Sequence, residues 1–243
     1  MQLCRCSKKG GLMKYFGEGL SEAHKELNKI IRKQDNIEAA KTLFLDLHKK
    51  LHLSNITEGE ENEVDRLFSD LEPWEYAVMP TSKDETIAWV VWHIARIEDL
   101  TMGILVSGDD QLFNEDWKKR MSAPITDTGN ALDDDGIMRL SKSLQVKELL
   151  HYRSAVGKRT RQIVANLQPG DMVRKVTPHA VDKIRLEGGV TMDEDSKWLL
   201  EFWGGKDVAG LLLMPPTRHV MLHLNDCCKW KEAIRAKKKL YLV

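Results

Sequence analysis

Helical spacing of apolar residues constrains the fold of this chain more than any other feature. Between residues 84 and 106, apolar side chains recur every three or four positions, at Ile87, Val90, Ile94, Ile97 and Ile104. This period is typical of an amphipathic helix with one buried face. Other segments with the same period are residues 22–33, 37–53, 62–71, 145–167 and 215–237. Alternating strand patterns are scarce, so we predict an all-α protein.

Four of these segments are long, which predicts a four-helix bundle with extra short helices, one of them near Trp117. Thr81 or Ser82 is the predicted N-cap of the helix at residues 84–106. Residues 171–205 are predicted to form a long loop before the last helix, and such loops often act as lids or binding elements. Residues 1–35 are predicted to be an N-terminal tail or extension, and residues 36–243 the bundle domain.

Composition excludes several classes of partner. Lys+Arg and Asp+Glu each number 37, so the formal net charge is zero and we expect no nucleic-acid binding. No apolar run approaches the roughly 18 residues of a membrane span, and the first residues lack an apolar signal core. We therefore expect a cytoplasmic protein with no membrane partner. The spacing of Cys4, Cys6, Cys227 and Cys228 fits neither a zinc ribbon nor a disulfide framework, so we expect reduced thiols.

Histidine spacing supplies the chemical signal. His219 and His223 lie four residues apart on the last predicted helix, so their imidazoles share one face. His93 lies beside the apolar stripe of a different predicted helix and is followed by Glu98 and Asp99. Two imidazoles from one helix and a third from another would form a metal site with an open position, as catalytic metal sites have.

A rival pair, His48 and His52, has the same spacing within residues 37–53. Random placement of eight histidines gives such a pair about 0.3 times, so neither pair alone establishes a site. Lysines beside the rival pair favour partial exposure. His219 and His223 instead share a predicted inward stripe with Asp226, where buried polar groups need partners. A packed or hydrogen-bonded core role is the alternative for each of these histidines.

At these residues the chain resembles the DinB-like superfamily. One matching segment is TIAWVVWHIARIEDL, where the family has a histidine and an acidic cluster on its second helix. Another is RHVMLHLND, where the family has H-x-x-x-H on its fourth helix. FLDLHKKLH is similar to the first helix and VKELLHYRSAVGKRTRQIVANL to the third. The resemblance covers about residues 37–235 and implies a four-helix bundle that is often dimeric.

Carried over by position, the resemblance implies that His93, His219 and His223 hold one divalent ion, zinc or nickel foremost, with iron in some relatives. Members of the family use low-molecular-weight thiols such as bacillithiol or mycothiol, so we expect a small, thiol-linked substrate and a homodimer. The expected activity is a thiol-dependent S-transferase or a metal-assisted hydrolase. The alternative is a non-catalytic metal- or ligand-binding stress-response module.

Carboxylates near the predicted ligands extend the prediction. Asp226, Glu98 and Asp99 are candidates for fixing imidazole tautomers, a role that metal-bound histidines usually need filled. Three neutral imidazoles leave a divalent ion most of its Lewis acidity, so a thiol or water ligand loses its proton near neutral pH. His48 and Asp226 are the nearest candidates for proton transfer. Each of these residues could equally be an ordinary surface or core residue.

Overall fold

The protein is all α-helical in the part that the structure, a computed structural model, describes: residue 17 and residues 19–238. The helices are α1 (Leu20–Ile30), α2 (Ile37–Lys50), α3 (Glu63–Ser69), α4 (Ile87–Asp99), α5 (Glu115–Met121), α6 (Asp134–Ser143), α7 (Val146–Asn166), α8 (Pro178–Leu186), α9 (Glu194–Gly204), α10 (Val208–Leu213) and α11 (Val220–Ala236). One π-helical segment, Leu100–Ser107, directly follows α4, and a second, Met214–His219, directly precedes α11. The predicted all-α class is confirmed.

Helix α4 forms the centre of the core, because all 13 of its residues are buried. It packs against α7 and α11, and α2 packs against α7. The π-helical segment before α11 also contacts α2 and α4. The four long helices predicted from the sequence therefore surround one core, and side chains from distant parts of the chain meet along α4.

Helix α4 begins later than predicted, and neither Thr81 nor Ser82 is its cap. Thr86 Oγ1 accepts a hydrogen bond from Trp89 N at 3.0 Å and caps the helix. Residues 81–84 instead close a turn of their own, in which Thr81 Oγ1 donates to Asp84 Oδ2 at 2.6 Å. That local hydrogen bond occupies the threonine hydroxyl that the prediction assigned to the helix.

The predicted long loop at residues 171–205 is wrong, because α8 and α9 occupy most of it. Helix α8 begins with Pro178, and Thr177 Oγ1 caps it by accepting from Ala180 N at 3.2 Å. The two short helices are separated by a turn at Gly188 and Gly189. These glycines gave the segment the composition of a loop. The residues that start the two helices, Thr177 before α8 and Asp193 before α9, are nevertheless of types that favour an N-cap.

Helix α6 was also missed, whereas α5 matches the short helix predicted near Trp117. Asp133 Oδ1 caps α6 by accepting from Gly136 N at 2.7 Å. By composition alone, the three aspartates at residues 133–135 suggest a turn. In the structure the same residues supply the N-cap and the acidic first turn that favour a helix start.

Helix α1 lies within the leading 35 residues that the sequence suggests as a tail. It buries Leu20 and Leu27 and packs against α2 and α10. Just beyond it, Arg32 donates to both carboxylate oxygens of Asp207, at 2.9 and 2.8 Å. From Leu20 onward the leading segment is therefore part of the packed fold.

The structure describes two of the four cysteines for which reduced thiols were predicted. Cys227 is buried and Cys228 half-buried, and both are thiols in the structure. Cys4 and Cys6 lie outside the described residues.

The buried face of α11 is rotated from the predicted stripe. Its buried residues are Val220, Met221, Leu224, Cys227, Trp230 and Ile234. His219 and His223 lie at the margin of this face and are half-buried, and the side chain of Asp226 is 41% exposed. The rotation leaves one side of the two imidazoles open to solvent.

Candidate metal centre

Three helical elements bring the predicted ligands together. His93 lies on α4, His219 ends the π-helical segment, and His223 lies in the first turn of α11. Pro215 and Pro216 within that segment have no N–H, so a regular helical hydrogen-bond ladder cannot continue through them. Such π-helical insertions are frequent at functional sites. The spacing of four residues keeps His219 and His223 on one face, where both reach His93.

The imidazoles converge through their Nε2 atoms. His219 Nε2 lies 3.1 Å from His93 Nε2 and 3.1 Å from His223 Nε2. Two nitrogen ligands bound to one ion at about 2.0–2.1 Å are themselves about 3.0–3.4 Å apart. His93 is buried, whereas His219 and His223 are half-buried. Two of the three Nε2–Nε2 distances therefore match those of ligands on a shared ion, and all three ligand atoms lie within 4.8 Å of one another, at a site with one accessible side.

Proton positions favour an ion over hydrogen bonding among the three rings. His93 Nδ1 lies 2.9 Å from the Thr128 carbonyl oxygen, so Nδ1 carries the proton and donates. A neutral imidazole has one N–H, which leaves a lone pair on His93 Nε2. His219 Nε2 carries at most one proton, and one proton cannot make a full hydrogen bond to both His93 Nε2 and His223 Nε2. One ion accepts all three lone pairs.

The pKa values keep these rings neutral. Burial and, after it, nearby His223 lower the pKa of His93 to about 3, although the hydrogen bond to the Thr128 carbonyl opposes this shift. Burial also lowers the pKa of His223 to about 4, although Asp226 opposes this shift. The pKa of His219 falls well below its ordinary value through burial and then through its two histidine neighbours. Neutral imidazole is the form that binds metal.

Trp89 forms an aromatic wall beside the three histidines. Its ring stacks on His93 with centroids 4.5 Å apart, and it meets His223 edge-on at 6.1 Å. Trp89 lies four residues before His93 on α4, so the two side chains share one face. The stacking limits rotation of the His93 ring and excludes water from one side of the candidate centre.

The rival pair forms a second cluster with Glu98. His48 Nε2 lies 2.8 Å from one carboxylate oxygen of Glu98, and His52 Nε2 lies 2.9 Å from the other. All three side chains are at most 1% exposed. Gly157 on α7 makes room for His52, because a Cβ there would lie 2.6 Å from His52 Nδ1. The sequence prediction of partial exposure for His48 and His52 is wrong, since α7 covers them.

Hydrogen bonding explains this second cluster without an ion. Burial opposes ionisation of Glu98, but the two imidazoles hold the pKa of its carboxyl well below the ordinary value. Each carboxylate oxygen accepts from one Nε2–H. The Nδ1 atoms of His48 and His52 are buried without a hydrogen-bond partner, and so is that of His219 in the first cluster, so this feature does not separate the two clusters.

Arg153 adds a charge argument against a cation in the second cluster. Its guanidinium is buried, and burial lowers its pKa to about 10 while Glu98 opposes the shift. The carboxylate therefore already has a cationic neighbour. Among the described residues, two groups have metal-ligand chemistry, His93/His219/His223 and His48/His52/Glu98. In the second group both Nε2 atoms are already paired with Glu98, whereas in the first the Nε2 lone pair of His93 faces another imidazole.

The predicted carboxylate partners lie elsewhere. Asp99 accepts from Tyr152 Oη at 2.7 Å and from two backbone N–H groups, those of Leu112 and Phe113, so it anchors that loop. Glu98 serves the second cluster. Asp226 accepts from Lys229 at 3.0 Å and acts on His223 only through its charge. The group that fixes the His93 tautomer is instead a backbone carbonyl, which sequence reasoning missed because a carbonyl has no residue signature.

The fold and the site define a class, an α-helical protein with a three-histidine candidate metal centre between α4 and α11. The family model of the DinB superfamily matches residues 56–192, more than half of the sequence. The chain therefore belongs to the DinB superfamily. His93 lies inside the matched span, whereas His219 and His223 lie beyond it, so the fold supplies their convergence independently.

No curated protein matches the sequence. Among the described residues, no helix has both the length and the apolar composition that crossing a membrane requires.

Proposed function

We propose that this chain is a divalent-metal-dependent enzyme that acts on a small, thiol-linked substrate, as a thiol-dependent S-transferase or a metal-assisted hydrolase. The observation that carries the proposal is the convergence of three imidazole Nε2 atoms, with the His93 lone pair facing the other two rings. Membership of the DinB superfamily supports it. Three protein ligands leave a position for substrate, whereas a structural site uses four.

Imidazole ligands suit zinc, nickel, iron and copper alike, and it is the resemblance to the family that places zinc or nickel first. When bound, the ion supplies Lewis acidity that lowers the pKa of a thiol or water beside it. The chain's own contribution is to keep His93 protonated at Nδ1 through Thr128 and to exclude water on the side covered by Trp89. Substrate approaches from the side where His219 and His223 are partly exposed.

Two carboxylates that interact through their charges, Glu85 and Asp226, are proposed to carry protons. Burial raises the pKa of half-buried Glu85, and the charge of Asp226 raises it further. Asp226 also acts on His223. In this proposal the carboxyl group of Glu85 or Asp226 takes up the proton that the substrate loses, or returns one to a leaving group. His48, the other sequence candidate, is fully buried and bound to Glu98, so it has no part here.

Metal analysis of the purified protein tests the ligand set. We expect about one zinc or nickel ion per chain after loading and dialysis, and loss of that ion in His219→Ala. His151→Ala is the matched control, because His151 is a half-exposed imidazole on α7. It should retain the ion. Equal metal content in His219→Ala and wild type would contradict the ligand assignment.

Activity is tested separately on the metal-loaded protein. We expect metal-dependent consumption of a low-molecular-weight thiol with an electrophile, or hydrolysis of a small ester or amide. His219→Ala should lose this turnover and His151→Ala should keep it. One ion per chain without turnover in either panel would favour the alternative, a non-catalytic metal-binding module.

A further inference from the structure

The loop of residues 126–129 is fastened to α4 through four consecutive backbone carbonyls. Each carbonyl oxygen accepts from a different α4 side chain, at distances between 2.9 and 3.1 Å. The pairs are Arg96 Nε with Thr126, Trp92 Nε1 with Asp127, His93 Nδ1 with Thr128, and Trp89 Nε1 with Gly129. The four donors recur at helical spacing and share one face of α4.

The opposite side of this loop is also held. Thr128 N donates to the Gly189 carbonyl at 3.2 Å, and Thr126 Oγ1 donates to the Gly188 carbonyl at 3.1 Å. Gly129 permits the close approach to α4, because its φ is 77° and a Cβ there would lie 2.9 Å from Trp89 Nε1. The Thr128 carbonyl is therefore fixed by bonds to its neighbours as well as by its own bond to His93.

We propose that Trp89, Trp92 and Arg96 are positioning residues for His93, acting through this loop. They place the Thr128 carbonyl where it holds the His93 proton at Nδ1 and turns the Nε2 lone pair toward His219. The part of this inference that concerns metal affinity rests on the proposed function. The part that concerns the His93 tautomer does not, because it applies to the metal-free protein.

Trp92 offers the cleanest test, since it touches the loop but is absent from the ring stacking around His93. Trp92→Phe removes the indole N–H that bonds to the Asp127 carbonyl. Trp198→Phe is the matched control, because Trp198 Nε1 also donates to a backbone carbonyl, that of Asp195 at 3.1 Å. Trp198 lies on α9, and its bond does not involve residues 126–129.

The first readout is the His93 tautomer in metal-free protein, measured by long-range ¹H–¹⁵N correlation of the imidazole ring. Wild type and Trp198→Phe should show one tautomer with the proton on Nδ1. Trp92→Phe should show a mixture, because the Thr128 carbonyl is less well placed. A pure Nδ1–H tautomer in Trp92→Phe would overturn the proposal.

The second readout is zinc affinity by competition with a chelator. Loss of a group that orients a metal-bound histidine commonly weakens binding about 10- to 100-fold. We expect about a tenfold loss in Trp92→Phe, because Trp92 acts one step removed, and no change in Trp198→Phe. If wild type bound no zinc, the proposed function would fail while the tautomer measurement still decided the positioning role.

A second substitution separates positioning from folding. Benzothienylalanine at position 92 replaces the indole N–H with sulfur and preserves the ring shape, so it removes the hydrogen bond without leaving a cavity. We expect the same mixture of His93 tautomers as in Trp92→Phe. A native tautomer with this substitution would show that Trp92 only fills space, which would also overturn the proposal.

Discussion

At the scale of single residues, Glu98 decides what two neighbouring imidazoles can do. Its two carboxylate oxygens accept one hydrogen bond each, from His48 and His52. Glu98→Gln replaces one acceptor with an N–H₂ donor, which faces an N–H donor of a ring. We expect the free energy of unfolding, measured in urea, to fall by about 1–3 kcal/mol, because buried donors lose their acceptor.

Metal content of the same variant separates the two histidine clusters. Glu98→Gln should retain about one ion per chain, since the ligands of the candidate centre are untouched. Glu194→Gln, an exposed carboxylate on α9, is the control and should match wild type in both stability and metal content. Wild type with two ions per chain, one of which disappears in Glu98→Gln, would show that His48, His52 and Glu98 bind metal.

The histidines also show what a sequence can reveal at this scale. The spacing of His219 and His223 predicts two imidazoles on one face, because helical geometry is local. The same rule applies to His48 and His52, so spacing alone does not separate the two pairs. What separates them is the third partner, a neutral ring for the first pair and a carboxylate for the second. Both partners lie on α4, far away in sequence.

At the scale of helices, local patterns predicted seven helices but not all of their ends: α1, α2, α3, α4, α5, α7 and α11. The apolar stripe of α4 was readable because its period repeats for several turns. The N-cap of α4 could not be predicted in the same way, because Thr81, Ser82 and Thr86 all carry a hydroxyl that can cap a helix. The hydrogen bond from Thr81 to Asp84 closes a separate turn and leaves Thr86 as the cap. Helices α8 and α9 were not predicted, because Gly188 and Gly189 give their segment the composition of a loop.

Asn62 links two helices, and this link predicts a difference between two N-caps. Its side-chain oxygen accepts from Val64 N at 2.8 Å and from Asp65 N at 3.2 Å, which caps α3. Its amide group donates to the carbonyls of Lys49 and His52 at the end of α2. Asn62→Ala should therefore lower the free energy of unfolding by about 2 kcal/mol, at the upper end of measured cap losses.

The matched control is Asn114→Ala. Asn114 caps α5 by accepting from Trp117 N at 3.0 Å. Its removal should cost about 1 kcal/mol, the usual value for a cap alone. Chemical denaturation of both variants measures the difference, and equal losses would mean that the bonds from Asn62 to the end of α2 contribute nothing.

At the scale of the whole molecule, the candidate centre exists only because residues 93 and 219 meet. No local rule joins positions 126 residues apart, so composition and spacing could suggest the ligands without placing them together. The resemblance to the DinB-like superfamily supplied that link at the level of sequence. Neither residue spacing nor the family resemblance predicted the role of residues 126–129. This loop acts through backbone carbonyls, whose positions depend on the packed fold.

Long-range contacts also close the molecule at the far end of α11, where Arg235 meets Glu75. Arg235 Nε donates to Glu75 Oε1 at 2.9 Å, and Glu72 N donates to Glu75 Oε2 at 2.8 Å. The Glu75 side chain is 3% exposed, whereas that of Arg235 is 38% exposed. Because solvent screens the arginine, we expect Glu75→Gln to lower the free energy of unfolding by about 1 kcal/mol near neutral pH.

The loss in Glu75→Gln should depend on pH in a defined direction. Burial opposes ionisation of Glu75, but hydrogen bonds from Arg235 and Glu72 N lower the pKa of its carboxyl below the ordinary 4.5. A carboxyl with a lowered folded-state pKa stabilises the fold above its unfolded pKa and loses that contribution as pH falls through the folded value. Urea unfolding should therefore separate wild type from Glu75→Gln at about pH 7, and the gap should close as pH falls through the lowered folded-state pKa of Glu75. The control Glu26→Gln, on the exposed face of α1, should match wild type at about pH 7. A gap between wild type and Glu75→Gln that stays constant across this range would mean that shape rather than charge makes Glu75 stabilising.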